Sequence, residues 1–247
     1  LNRILSKRHS PSADAWPGIV SKPIGQLDAI DPEALAYVVF TSGTTSKPKG
    51  VEISHAALQS QLQALLDQYE LGSDDRVMNT LPLHHVDGLL QGPLLGWFSG
   101  CRIVRSPCFS PQGVTDYLDA IYRERITHLI AAPTMLDQIM RLGSDLADSF
   151  SGGDFRFISC SGGPLRDSLW EGFEETFKTR VVNMYGMSET GTSALFSGPD
   201  EVSRMIGTVG LPINCDVRIV DEEGRQVDTG EIGELLISSP QLLRGYH

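Results

Sequence analysis

The sequence lacks any apolar run approaching the roughly 18 residues that a membrane-spanning helix needs. No integral membrane segment is expected, and no signal peptide is visible. Its four cysteines, Cys101, Cys108, Cys160 and Cys215, include no pair at C-x-x-C spacing. Neither a redox dithiol nor a zinc knuckle is therefore signalled. Reduced, mostly buried thiols in a cytoplasmic protein are the plain reading. Basic charge is scarce: 20 Lys and Arg against 31 Asp and Glu give a formal net charge of −11. A nucleic-acid-coating surface needs the opposite balance, so no nucleic-acid partner is expected. A small anionic ligand stays open, because a local ring of N–H groups and one lysine can outweigh the global field. The Walker pattern G-x-x-x-x-G-K-[ST] is also missing.

What is present is an ordinary globular composition, 40% hydrophobic and 21% charged over 247 residues. That is enough chain for a sizeable core in one large domain or two small ones. It begins at Leu1, which suggests a piece of something longer. Residues 1–33 read as a linker or the remnant of a preceding subdomain. From Ala34 short β-rich runs recur at 36–40, 76–80, 101–105, 127–132, 155–159 and 180–184. Helical stretches lie between most of them. The clearest follows Ser54, a good N-cap, with Leu58, Leu62, Leu65, Leu66 and Tyr69 on one face. Others span about 111–124, 133–142 and 165–178, where Pro133 and Pro164 suit a first helical turn.

The alternation predicts an α/β fold, a mostly parallel sheet flanked by helices. The expected core is 34–200. Residues 201–247 read as the start of a small, incomplete β-rich subdomain, with two strands around turns at Glu223-Gly224 and Thr229-Gly230. Ligands in such sheets bind at the carboxyl ends of strands. The loops after Phe40, Ser159 and Met184 are thus the site candidates.

Four segments carry chemistry. In "FTSGTTSKPKG" (40–50) hydroxyls, uncrowded N–H groups and Lys49 could cradle a polyphosphate; a plain polar turn is the alternative. In "LPLHHVDG" (81–88) His84 and His85 point opposite ways if extended, so a metal shared with Asp87 is not expected. In "SCSGGPL" (159–165) Gly162 and Gly163 permit close approach to a flat ring, and a simple strand-to-helix turn explains them equally. In "NMYGMSETG" (183–191) Tyr185 could stack on a base, Ser188 could bond a phosphate and Glu189 could hold Mg²⁺. Each could also be structural.

In order and wording these segments resemble the adenylate-forming superfamily of acyl-CoA synthetases, peptide-synthetase adenylation domains and luciferases. "TSGTTSKPKG", "LPLHH", "SGGPL" and "YGMSE" match its motifs, joined by "GTVGLP" (207–212) and "GEIGELLI" (230–237). The resemblance runs from Ala36 to Tyr246. It implies ATP-dependent activation of a small carboxylic acid to an acyl-adenylate, with pyrophosphate released and the acyl group passed to a thiol. ATP and Mg²⁺ are the implied cofactors. CoA is the implied acceptor, with a carrier protein as the alternative. A non-catalytic nucleotide-binding module is the reading of another class.

By the same resemblance Thr41, Ser42, Gly43, Thr44, Thr45 and Lys49 would hold the β- and γ-phosphates. Ser188 would meet the α-phosphate and Glu189 would ligate Mg²⁺. Gly162, Gly163, Pro164, Tyr185 and Gly186 would enclose adenine, with Asn183 on its amino edge. His85 would stand beside the acid carboxylate. Three residues depart from the family pattern: Ser46 for glycine, Ser188 for threonine and His84 for an aromatic. The family's ribose-binding aspartate and C-terminal lid domain are expected beyond Tyr246. The chain by itself is therefore expected to bind nucleotide weakly and turn over slowly.

Overall fold

The computed structural model describes residues 29–41 and 48–247. Most of the stretch expected as a linker, and Ser42, Gly43, Thr44, Thr45 and Ser46, lie outside the described residues. Pro32–His247 is one structural unit.

Its centre is a seven-stranded sheet in the order β4-β3-β5-β6-β7-β8-β9. The strands β3 (Arg76–Asn79), β4 (Arg102–Val104), β5 (His128–Ala131), β6 (Phe157–Cys160) and β7 (Arg180–Tyr185) run parallel. β8 (Leu195–Ser197) returns antiparallel to β7, and β9 (Leu211–Pro212) pairs antiparallel to β8. Every residue of β5 and β6 is buried. A sheet covered on both faces demands this, since neither side chain of a pleat meets water.

The period of two sorts these strands between two cores. Met78, Leu129, Ile158 and Val181 face one side. There they meet α2 (Val114–Arg123), α3 (Pro133–Leu142) and α4 (Asp167–Phe177) through Leu118, Leu136 and Trp170. Val77, Ile130, Phe157 and Val182 face the other, against Leu62, Leu65 and Tyr69 of α1 (His55–Tyr69). Leu58 and Leu66 of the expected apolar face are only partly buried against these cores.

Ser54 caps α1, its Oγ accepting from Ala57 N at 3.2 Å. Pro133 occupies the first turn of α3. Pro164 does not do the same for α4, which starts later at Asp167. Residues 86–99 form a broken helical stretch with no clear periodic signal in the sequence. It contains a π-helical turn, Leu90–Leu94, with Pro93 inside and a non-helical kink at Gly92.

One strand expected in the parallel sheet is elsewhere. β1 (Leu35–Thr41) pairs antiparallel with β2 (Lys49–Ser54), Thr41 opposite Lys49. With β12 (Gly245–Tyr246) they form a separate three-stranded sheet, β1-β2-β12. The reason is chain length. Residues 42–48 suffice for a hairpin, whereas a parallel crossover needs a dozen or more residues. The strand that ends just after Phe40 thus belongs to an antiparallel pair, and Lys49 stands on its second strand. β10 (Asp216–Val220) and β11 (Glu234–Ser238) form a third, two-stranded antiparallel sheet. Among the described residues no helix is long and apolar enough to cross a membrane.

Candidate functional site

A cavity of about 550 Å³ opens at the carboxyl ends of β3, β6 and β7. This is the position a parallel sheet offers a ligand, and the volume falls in the usual range for small-molecule sites. His85–Asp87, Ser161–Leu165, Asn183–Ser188, Thr192 and Val209 line it. The fold therefore brings His85, Gly162, Gly163, Pro164, Asn183, Tyr185, Gly186 and Ser188 to one place. His84 is exposed and outside this lining.

The floor is made by two strand-to-loop transitions. Gly162 adopts φ +81°, a left-handed conformation that costs glycine little. Gly186 has a different reason to lack a side chain: a Cβ there would lie 1.9 Å from the Thr192 carbonyl oxygen. The close return of the chain toward β8 requires it. Asn183 is buried, and its Nδ2 donates to Thr208 O at 2.9 Å. A carbonyl only accepts, so the amide orientation is fixed and Oδ1 is its remaining acceptor. An acceptor in this wall suits the amino edge of adenine.

The His85 side of the cavity is set by a buried polar network. His85 is the N-cap of the short helix Val86–Leu89, its Nδ1 accepting from Asp87 N at 3.3 Å. Asp87 is 5% exposed. Its Oδ1 accepts from Gln91 Nε2 at 3.0 Å, and its Oδ2 accepts from Ser161 Oγ at 3.1 Å. Oδ2 also lies 3.6 Å from His85 Nδ1. Burial pushes the Asp87 carboxyl up from its ordinary value, opposed by His85, Ser161 and Gln91. Behind Gln91, Tyr69 Oη lies 2.6 Å from Gln91 Oε1 and 2.7 Å from Ser159 Oγ. Arg105 pins the approach to this wall, donating to Asn79 O at 2.9 Å and Leu81 O at 2.6 Å.

Lys49, Thr41 and Glu189 do not line the cavity. Glu189 follows Ser188, which does, and sits half-buried in the turn Ser188–Thr190. Tyr246 joins it to Lys49. The Tyr246 hydroxyl donates to Glu189 Oε1 at 2.9 Å, and Lys49 Nζ lies 5.0 Å from the centre of the Tyr246 ring. Among the described residues no group of three or more His, Cys, Asp or Glu side chains could hold a metal unaided. A single carboxylate fits Mg²⁺ that arrives on phosphate oxygens, the usual way this ion is held beside a nucleotide.

Asp87 and Tyr246 were not among the site residues expected from sequence. In the sequence Asp87 suggests only a metal ligand with its neighbouring histidines. Its partner Ser161 is 74 positions away.

The family described as AMP-binding enzyme matches residues 4–247. The chain belongs to that family. It is 31% identical to an indoleacetate–CoA ligase of Aromatoleum aromaticum over 220 residues, covering 88% of this chain and 42% of the relative. Among solved structures, ATP-bound MatB from Rhodopseudomonas palustris superposes with a TM-score of 0.79 at 27% identity. That match covers 95% of this chain and 45% of the other. An o-succinylbenzoate–CoA synthetase from Bacillus subtilis, in complex with ATP and magnesium ion, gives 0.78 at 27% identity, over 90% and 45%. The chain thus spans less than half the length of these relatives.

Proposed function

We propose that this chain forms the nucleotide-binding part of a carboxylate–CoA ligase, with 34–200 as the core and 201–247 supplying β12. The observation that carries this reading is the convergence of His85, Gly162–Pro164 and Asn183–Ser188 on one cavity beside Glu189. A carboxylate oxygen of the acid attacks the α-phosphorus of ATP. The new bond is acyl oxygen to phosphorus, and the bond broken releases pyrophosphate. The CoA sulfur then attacks the acyl carbon, AMP leaves and the thiol proton passes to solvent.

Each residue has a defined part in that scheme. Asn183 Oδ1 accepts from the adenine amino group. Gly162, Gly163 and Pro164 on one side and Tyr185 and Gly186 on the other bound the base. Ser188 holds the α-phosphate. Thr41, Ser42, Gly43, Thr44, Thr45 and Lys49 hold the β- and γ-phosphates. Glu189 would hold Mg²⁺, which when bound would supply positive charge as one anion approaches another. His85 presents its imidazole to the acid carboxylate and orients it for in-line attack. Asp87 and Ser161 keep that imidazole in place.

The test is calorimetric titration of MgATP into the chain and into Lys49→Ala and Glu189→Ala. The wild type is expected to bind. Each variant is expected to lose about tenfold in affinity, the worth of one hydrogen bond to a charged group. No binding by the wild type, or unchanged binding by both variants, would contradict the assignment. Swapping CoA for a carrier protein as acceptor separates a CoA ligase from a ligase that loads carriers.

A further inference from the structure

Tyr246 lies outside the motifs that carry the nucleotide reading. It nevertheless touches two side chains to which that reading gives opposite tasks. Its backbone is fixed on the sheet that bears Lys49. Tyr246 stands opposite Val51 in the β12–β2 ladder, flanked by Arg244 N to Glu52 O at 2.8 Å and His247 N to Gly50 O at 2.7 Å. Two residues before that ladder, Leu243 N donates to the backbone oxygen of Glu189 at 2.8 Å. The segment Leu243–His247 therefore ties the Glu189 turn to β2.

The side chain repeats the tie. The Tyr246 hydroxyl reaches Glu189 Oε1, and the ring lies under the Lys49 ammonium. A phenol O–H donates and a carboxylate oxygen accepts, so the proton of this contact lies on tyrosine. Among the described residues Glu189 Oε2 has no hydrogen-bond or ion-pair partner. Among the described residues no carboxylate lies within ion-pairing distance of Lys49. One carboxylate oxygen is spoken for and the other is open. The ammonium is held by a ring that leaves its charge unneutralised.

We propose that Tyr246 is a positioning residue of the phosphate and metal site, orienting Glu189 so that Oε2 meets Mg²⁺ and holding Lys49 toward the phosphates. The inference rests on the proposed function. A hydrogen bond from a neighbour is how proteins fix a carboxylate that ligates a metal. Without it Glu189 would rotate, and the ion would meet a mobile ligand. The ring does the corresponding service for a flexible lysine stem.

The experiment is a calorimetric titration of ATP into the chain at a series of Mg²⁺ concentrations and in EDTA. It compares the wild type with Tyr246→Phe, Tyr246→Leu, Glu189→Gln and the double variant Tyr246→Phe/Glu189→Gln. Tyr246→Phe keeps the ring and is expected to lower the apparent Mg²⁺ affinity by about tenfold. Its ATP affinity in EDTA stays at the wild-type value. Tyr246→Leu, lacking the ring as well, also loses about threefold in EDTA. In the Glu189→Gln background Tyr246→Phe changes nothing, because the carboxylate it serves is gone. A Mg²⁺ dependence of Tyr246→Phe equal to wild type would overturn the proposal and leave the nucleotide reading standing. Equal losses with and without Mg²⁺ would mean a merely structural tyrosine and would also overturn it. A wild type that binds no ATP, or binds it without regard to Mg²⁺, would remove the proposed function and this inference together.

Discussion

The two walls of the candidate site are built differently. The wall expected to hold the nucleoside sits on the ends of β6 and β7, parallel strands buried on both faces. The wall expected to hold the phosphates rests on β1, β2 and β12, antiparallel strands with exposed side chains such as Phe40 and Tyr246. The first wall is a by-product of the core. Asn183 and the glycines beyond Cys160 are placed by packing that the domain needs anyway. The second wall stands at the surface, where an ammonium keeps much of its hydration and can exchange water for phosphate at small cost. The contrast implies that stability and ligand affinity reside largely in different walls.

The largest effect should come from breaking the first wall. Trp170 is fully buried behind β7, and its Nε1 donates to Val181 O at 2.9 Å. Trp170→Ala is expected to cost about 3–5 kcal/mol of unfolding free energy in a urea titration. A loss below about 1 kcal/mol would show that α4 does not support the strand as described.

Acid should weaken the sheet behind that wall next. His128, on β5, is fully buried, with Nδ1 2.8 Å from Thr127 Oγ1 and, among the described residues, no partner within hydrogen-bond geometry for Nε2. Burial lowers its pKa from 6.5 to about 4, against a weaker upward pull from Asp75. Between those values the unfolded chain binds the proton and the folded chain does not. The stabilising preference for neutral imidazole is complete above pH 6.5 and is lost as pH falls toward 4. The loss amounts to roughly 3 kcal/mol over that window. His128→Phe should flatten this part of the stability–pH curve. An unchanged slope would place the acid sensitivity elsewhere.

The smallest stability effect belongs to the second wall. Lys49→Ala should leave the unfolding free energy within about 0.5 kcal/mol of wild type in a urea titration, even as MgATP affinity drops. A large destabilisation by Lys49→Ala would erase the distinction between the walls.

The first wall was the more legible in sequence, for a physical reason. A buried parallel strand is a continuous apolar run, and the turn after it must carry glycine or small polar residues. "FRFIS" before "CSGGPL" and "RVVNM" before "YGMSETG" display both signals within a few positions. The run "AYVVF" looks the same but pairs antiparallel. The shortness of 42–48 was the available clue. Residues 86–99 were opaque because Gly92 and Pro93 interrupt helical periodicity. Asp87 was visible as a residue, but its task was not, since Ser161 arrives through the sheet. Tyr246 reaches Glu189 across 57 positions. Periodicity tells which face a residue occupies and never which distant residue it will meet.

The most direct test of the account is whether the first wall reads adenine. Calorimetry with MgATP and with MgITP, whose base carries an oxygen in place of the amino group, isolates the contact to Asn183 Oδ1. The wild-type chain is predicted to favour ATP by about tenfold, one hydrogen bond to the base, and Asn183→Ala to lose that preference. Equal affinities for the two nucleotides in the wild type would contradict the placement of the base between Gly162–Pro164 and Tyr185.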